Sequence, residues 1–252
     1  MKLKLFFNKT VHDNAARYYN LAKQCKEKIA GLQKAIEETK KEMQQAQKEK
    51  KKEVRVKRER RWYEKFHHTF TGNKRLMIGG RSAQQNDQVV ARHMEDNDLF
   101  FHADIQGASA VILKDGADAD EAEMAEAAQF AACFSKAWVN ANAAVDVYAV
   151  KKEQLSKAAP GGYIPTGAFA IKGKRRWFRG TKLALRLGLR EKKVEMVPEV
   201  SKTVLTEQLT LLPSKRGKEK GPLAKSLAKR FGVHPDELLE ILPTGRTKTV
   251  VE

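Results

Sequence analysis

His102 and Asp104 stand two residues apart in the run Phe100-Phe101-His102-Ala103-Asp104, which reads as a strand, so both side chains leave one face. An imidazole beside a carboxylate can move a proton, orient a single ring, or bind a ribose hydroxyl or a phosphate. Gly107 follows and lets the backbone turn close to another molecule. No nucleophile shares the motif, which favours RNA contact or a local structural role over catalysis, and no catalytic residue is assigned. Gly79-Gly80-Arg81 closes one strand and Ser82 opens a short helix. The free N–H groups of a helix start attract anions, and Arg81 adds a bidentate donor. Gln84, Gln85 and Asn86 offer amide pairs suited to base edges or ribose. The third glycine of a dinucleotide fingerprint is missing. The alternative for this stretch is a tight turn with Arg81 in an internal ion pair.

A third cluster is basic. Residues 172–193 hold ten Lys or Arg against one Glu, with Trp177 and Phe178 among them. Lys172, Lys174, Arg175, Arg176, Trp177 and Arg179 form the pattern of a surface that follows a phosphate backbone and stacks on an unpaired base. The other reading puts both aromatic residues in the core with the charges outside. Residues 48–61 carry nine Lys or Arg against three Glu, which suits a solvated helix face, a backbone-binding tract, or both. The whole chain has a formal charge of +18, and its pI is near 9.8, a surplus that attracts polyanions. His67 and His68 are adjacent and point to opposite faces of a strand. His12, His93 and His234 are scattered, so no metal or cofactor site is expected. Cys25 and Cys133 have no C-x-x-C partner, which fits a reducing cytoplasm. No apolar run approaches a bilayer span. Met1 to Asn8 reads as a strand or docking segment, not a signal peptide.

The elements that must position these residues begin with a long helix over 14–52, followed by the basic tract to Arg61. Tyr18, Ala22, Cys25, Ile29, Leu32, Ile36, Thr39, Met43 and Ala46 recur at spacings of four and three, a coiled-coil seam of about four heptads. Asp13 or Asn14 can cap it. A lone two-faced rod needs a partner: a second copy, another protein or a later helix. From Trp62 the pattern turns to short strands. A hairpin covers Phe66 to Ile78 with Thr71-Gly72-Asn73-Lys74 at its turn. A helix follows from Ser82 to Met94, then strands at Asp98–Ala103 and Ala110–Lys114. A long Ala-rich helix runs over Asp120–Asn140, and strands follow at Ala144–Val150 and Ala168–Lys172. Two more flank Gly188 between Leu183 and Val197. Trp62, Tyr63 and Phe66 anchor the sheet to a helix. Residues 213–222 read as a Lys/Gly-rich linker, and residues 223–252 as a helical hairpin closed by Gly232 and reopened at Pro235. The expected fold is α+β: residues 1–13 as a lead segment, 14–61 as the coiled-coil helix, and 62–212 as one domain with a single mixed sheet and covering helices.

Five stretches in order carry a resemblance. They are Trp62-Tyr63-Glu64-Lys65-Phe66, Gly79 to Asn86, His102 to Ser109, Gln154-Leu155-Ser156-Lys157, and Gly162 to Gly173. Together they resemble the NFACT-R domain, the RNA-interacting domain of ribosome quality-control proteins of the RqcH/NEMF type, closely over roughly residues 62–175. The resemblance implies an RNA-binding adaptor, with tRNA and large-subunit rRNA as partners. Its RNA contacts are expected at Arg81, Gln85, Asn86, His102, Asp104, Lys157, Lys172, Lys174, Arg175, Arg176, Trp177 and Arg179. It implies action on a large subunit bearing a stalled nascent chain, where the ribosome performs any untemplated tailing. The first coiled-coil arm runs almost straight into Trp62, whereas the family pattern has a return helix. The family's large N-terminal domain is not in this sequence, and a separate N-terminal half could dock on the seam. Two rivals remain: an RNA-modifying enzyme centred on His102, Asp104 and Arg81, and a structural coiled-coil adaptor that binds rRNA passively.

Overall fold

The structure is a computed structural model that describes residues 4–53, 61–158, 162–191 and 193–251, with side chains described to residue 43 in the first stretch. The chain forms two units that divide after Arg60. The first is built on α1, Val11–Glu53. Its start lies one turn earlier than the sequence suggests. Thr10 Oγ1 accepts the Asp13 N–H at 3.2 Å, and the Asp13 carboxylate accepts the Thr10 N–H at 3.2 Å and its hydroxyl at 2.7 Å. Thr10 and Asp13 thus satisfy each other as a reciprocal cap. Asn14 does different work. Its Oδ1 accepts the Phe6 N–H and its Nδ2 donates to the Phe6 carbonyl, docking the lead segment on the helix. Tyr18 is half-buried by a hydroxyl exchange with the Lys4 backbone, while Ala22, Cys25, Ile29, Leu32, Ile36, Thr39 and Met43 are exposed. The side chains of Ala46 and of the basic tract before Arg61, and residues 54–60 altogether, lie outside the described residues.

The second unit begins with a hairpin, β1 (His67–Phe70) and β2 (Leu76–Gly79). Helix α2 spans Ala83–His93, capped by Ser82, whose side chain accepts the Gln85 N–H. Strands β3 (Leu99–Ala103) and β4 (Val111–Leu113) follow, then α3 (Glu121–Cys133) and α4 (Lys136–Val139). After them come β5 (Ala144–Lys151), the two-residue strands β6 (Leu155–Ser156) and β7 (Ala170–Ile171), and β8 (Arg176–Lys182). The chain ends with β9 (Leu185–Arg190), β10 (Lys193–Pro198), β11 (Thr206–Lys218), α5 (Lys220–Phe231), α6 (Pro235–Ile241) and β12 (Thr247–Val250).

The α+β class, the long leading helix and the C-terminal helices agree with the sequence reading. The strands, however, do not share one mixed sheet. They form a six-stranded sheet ordered β1-β2-β4-β3-β5-β8, a four-stranded sheet ordered β10-β9-β11-β12, and the pair β6-β7, antiparallel throughout. Gly188 lies inside β9 rather than between strands, and a Cβ there would meet Leu205 Cβ and the Thr206 carbonyl at 2.8 Å, so the close approach needs glycine. The stretch 213–222, expected as a linker, ends β11 and starts α5. Its glycine serves a close crossing, since a Cβ on Gly217 would lie 2.5 Å from the Thr247 backbone. Residues 223–252 are not only a helical hairpin, because β12 pairs with β11 beyond it.

The expected single helix over 120–140 is broken. Phe134 leaves helical geometry, and its carbonyl accepts the Ser109 N–H at 3.1 Å. Ser135 Oγ then donates to the Ala132 carbonyl and accepts the Ala137 N–H, capping α4. One face of the six-stranded sheet, including Met77, Phe101, Val111 and Val147, packs on α3 in a core that also takes Leu223, Leu227, Phe231 and Leu238 from α5 and α6. The other face, with Ile78, Phe100, Ile112, Tyr148 and Val150, is covered by Phe66, Val89 of α2, and Phe169 and Ile171. Residues of both cores alternate along the strands, as the pleat requires. Each fully buried Phe or Ile contributes roughly 1.5–3 kcal/mol. Among the described residues no helix is long and apolar enough to cross a membrane.

Candidate nucleic-acid interface

Strand pairing, not sequence proximity, assembles the site. His102 on β3 sits opposite Tyr148 on β5, and Tyr148 sits opposite Trp177 on β8. The His102 and Tyr148 rings are 5.8 Å apart, and the Tyr148 and Trp177 rings 5.5 Å in an edge-on contact. Arg179 on β8 and Arg175 just before it flank Trp177. Arg179 lies 4.0 Å over the indole, and Arg175 lies 4.7 Å over the Tyr148 ring and 5.8 Å from the indole. β8 ends the sheet, which leaves this aromatic and cationic row on an open edge. The two sequence readings of Trp177 and Phe178 divide between them. Phe178 packs on Phe101 and the core, while Trp177 is half-buried beneath arginines.

The remaining expected contacts sort by what already holds them. Lys172, Lys174 and Arg175 are exposed beside the row. Arg176 faces away from it, pairing with Glu121 at the start of α3. Arg179 also pairs with Asp146, whose Oδ1 takes the Gly180 N–H at 2.8 Å. Asn86 is buried, and both ends of its amide are engaged: Nδ2 donates to the Ala108 carbonyl at 3.2 Å and Oδ1 accepts the Ala110 N–H at 3.0 Å. It joins α2 to the His102–Ser109 turn and has no base edge to offer. Gln85 accepts the Arg81 N–H and donates to the Lys65 carbonyl. Lys157 pairs with Asp87, donates to the Ala168 carbonyl at 2.7 Å and lies 4.1 Å over the Phe169 ring, so it fastens the loop before β7. The sequence shows these residue types but not their internal partners.

Arg81 is exposed, with one guanidinium nitrogen donating to the Phe66 carbonyl at 3.0 Å. Together with His102, Gly80, Ser109, Phe134 and Gly167 it lines a cleft of about 690 Å³. No hydrogen bond joins His102 to Asp104, whose own N–H is held by the Asp146 carbonyl. Burial pulls the His102 ring below its ordinary value of 6.5, and the backbone at Ala103, then Asp104 and the backbone at Ala108, oppose that only in part. Burial holds His67 well below the same value, with Arg81 and Lys220 adding to the effect. Burial also raises the Tyr148 hydroxyl and lowers Lys220. Sequence reasoning missed Tyr148, His67, Lys136 and Lys220. Tyr148 is visible only through its register with Trp177, His67 and Lys136 only through the shape of the cleft, and Lys220 only through the hollow beside it.

An antiparallel sheet whose edge strand carries Trp177 between two arginines, with Tyr148 on the next strand, has the features of a domain that binds single-stranded nucleic acid. Residues 65–173 match the family model described as the NFACT protein RNA binding domain, so this stretch is similar to that domain. It is 36% identical over 206 residues to the archaeal Rqc2 homolog aRqcH of Methanocaldococcus jannaschii, covering 78% of this chain and 30% of that protein. It is also 36% identical over 185 residues to the ribosome quality control complex subunit NEMF homolog of Drosophila melanogaster, covering 70% of this chain and 18% of that protein. The chain thus spans less than a third of the length of these relatives. Among solved structures, the C-terminal part of the fibronectin/fibrinogen-binding protein from Streptococcus suis aligns with a TM-score of 0.41 and 24% identity, over 68% of this chain and 76% of that one.

Proposed function

We propose that the protein is an RNA-binding component of ribosome-associated quality control. It acts on the large ribosomal subunit bearing a stalled nascent chain, where it holds tRNA or rRNA. The names of its relatives support the process, and the matched domain supports the ligand. The single observation that carries the reading is the Arg175–Trp177–Arg179 row beside Tyr148 and His102 on an open sheet edge. Arginines there track the backbone while the indole stacks on an unpaired base. The protein positions RNA and makes or breaks no covalent bond, so any nascent-chain tailing is ribosomal chemistry supported together with an N-terminal half. The α1 seam is the dock for that half or for a partner helix.

Filter binding of tRNA and single-stranded RNA across salt concentrations tests this. Affinity should fall steeply with salt, with a log–log slope of about −0.7 per phosphate contacted on a single strand. Trp177→Leu should weaken binding by roughly 1–3 kcal/mol. No binding at low salt, or a flat salt response, ends the RNA reading. A mass change in tRNA that His102→Ala abolishes while binding persists would replace the adaptor with an enzyme.

A further inference from the structure

The β8 row leaves the cleft beside it unexplained. Arg81, Lys136, His67 and His102 contribute to its lining, and among the described residues no Asp or Glu does. Lys220 borders an adjoining hollow that shares Val139 with the cleft and also takes Glu219, whose carboxylate is paired with Arg246, and Lys220 lies close enough to act electrostatically on His67. The cations Arg81, Lys136 and Lys220 repel one another unless an anion sits among them. His67 marks the spot. Its ring stacks 4.1 Å from Phe134, and its Nδ1 is buried with no hydrogen-bond partner. A buried nitrogen left unpaired costs about 1–3 kcal/mol and calls for a ligand or water. The first turn of α2, an eleven-residue helix, borders the same space at Ser82 and Ala83, where N–H groups have no acceptor within the helix. The loop that roofs it lies directly on that turn. A Cβ on Gly167, whose φ is +81°, would sit 2.6 Å from Ala83 Cα.

Part of the remaining lining is aromatic. Phe100, Tyr148 and Phe169 line the cleft, with the Phe100 and Phe169 rings 5.7 Å apart, and the buried His102 Nδ1 also lacks a partner. A cationic part and an aromatic part in one space match a phosphate and a base in one ligand. The volume falls within the roughly 300–1,000 Å³ usual for small-ligand sites.

We propose that this cleft is a nucleotide pocket. It takes one nucleoside monophosphate unit, with the phosphate held by Arg81, His67, Lys220 and the first turn of α2, and the base against Phe100, Tyr148 and Phe169. The unit enters as an unpaired nucleotide of RNA lying on the β8 row, a step that rests on the RNA-binding reading. A free nucleotide offers the same chemistry.

Calorimetric titration of the full chain with AMP, GMP, CMP, UMP, adenosine and inorganic phosphate tests the pocket. At least one monophosphate should bind about tenfold more tightly than adenosine or phosphate alone. Arg81→Ala and Lys220→Met should each weaken it by roughly tenfold, with circular dichroism confirming that both variants fold. Lys220→Met keeps the buried stem and guards against a packing effect at Arg81. Trp177→Leu should weaken RNA binding. A short single-stranded RNA that displaces the monophosphate supports RNA as the source, and failure to displace it overturns the RNA source in favour of a free nucleotide. If RNA binds but no monophosphate does, the pocket is wrong and the RNA reading stands. If phosphate alone binds as well as the nucleotides, the site is a simple anion site and the proposal falls. If monophosphates bind and RNA does not, the RNA reading falls and the pocket survives.

Discussion

His67 links the cleft to stability. Burial is the largest cause of its lowered proton affinity, followed by Arg81, Lys220 and His68, and His102 and His93 are lowered by burial in the same direction. Between their folded-state values and the ordinary 6.5, the unfolded chain binds protons that the folded chain does not. Stability therefore rises with pH through that window and is lost as pH falls below 6.5. Glu126 acts in the opposite sense above its ordinary 4.5, because burial raises its carboxyl and folded protein then holds the extra proton. It is one group against three. Urea midpoints should thus drop between about pH 7.5 and about pH 5, and His67→Asn should flatten the drop. An unchanged slope in that variant would place the acid sensitivity on His93 and His102 instead.

At the scale of elements, the site depends on how α2 is tied to the His102–Ser109 turn. The Asn86 amide makes both bonds from a buried position. Asn86→Ala leaves the Ala110 N–H and the Ala108 carbonyl without partners in the interior. It should cost about 1–3 kcal/mol in urea unfolding and should loosen the cleft. An effect below a few tenths of a kcal/mol would show that water replaces the amide. Asn86 also shows where the sequence stops being informative. Its type suits a base edge, and only the fold reveals that its partners lie more than twenty residues along the chain. Elements set by local signals were legible: α1 from its heptads, the β1–β2 hairpin from its Gly-Asn turn, α2 from Ser82, and the close of α5 from Gly232. Elements set by distant partners were not. β8 hides in a basic run because its pairing with β5 is what makes it a strand. β11 and β12 define each other, so the Lys/Gly content of 213–222 suggested a linker. The α3–α4 break needs Ser109 to hold the Phe134 carbonyl.

At the scale of the whole molecule, the first unit raises a question of company. α1 runs 43 residues, about 64 Å at the usual rise. Ile29, Leu32, Ile36 and Met43 along its seam are each more than half exposed. Covering a Leu or Ile contributes roughly 1.5–3 kcal/mol, so a seam of this length has enough apolar surface to drive pairing. An uncovered rod of Lys, Glu and Gln has only helix propensity to hold it, a few tenths of a kcal/mol per residue at best. The protein should therefore self-associate through α1 or retain a partner helix, and light scattering of the intact chain should report a mass above the monomer. Ile29→Lys and Leu32→Lys place a charge in the seam and should return the monomer with less helical signal, while the fold of residues 61–251 persists. A monomeric wild type whose helicity is the same in Ile29→Lys would show that the seam is unpaired in solution, and the dock for a second half would have to lie elsewhere.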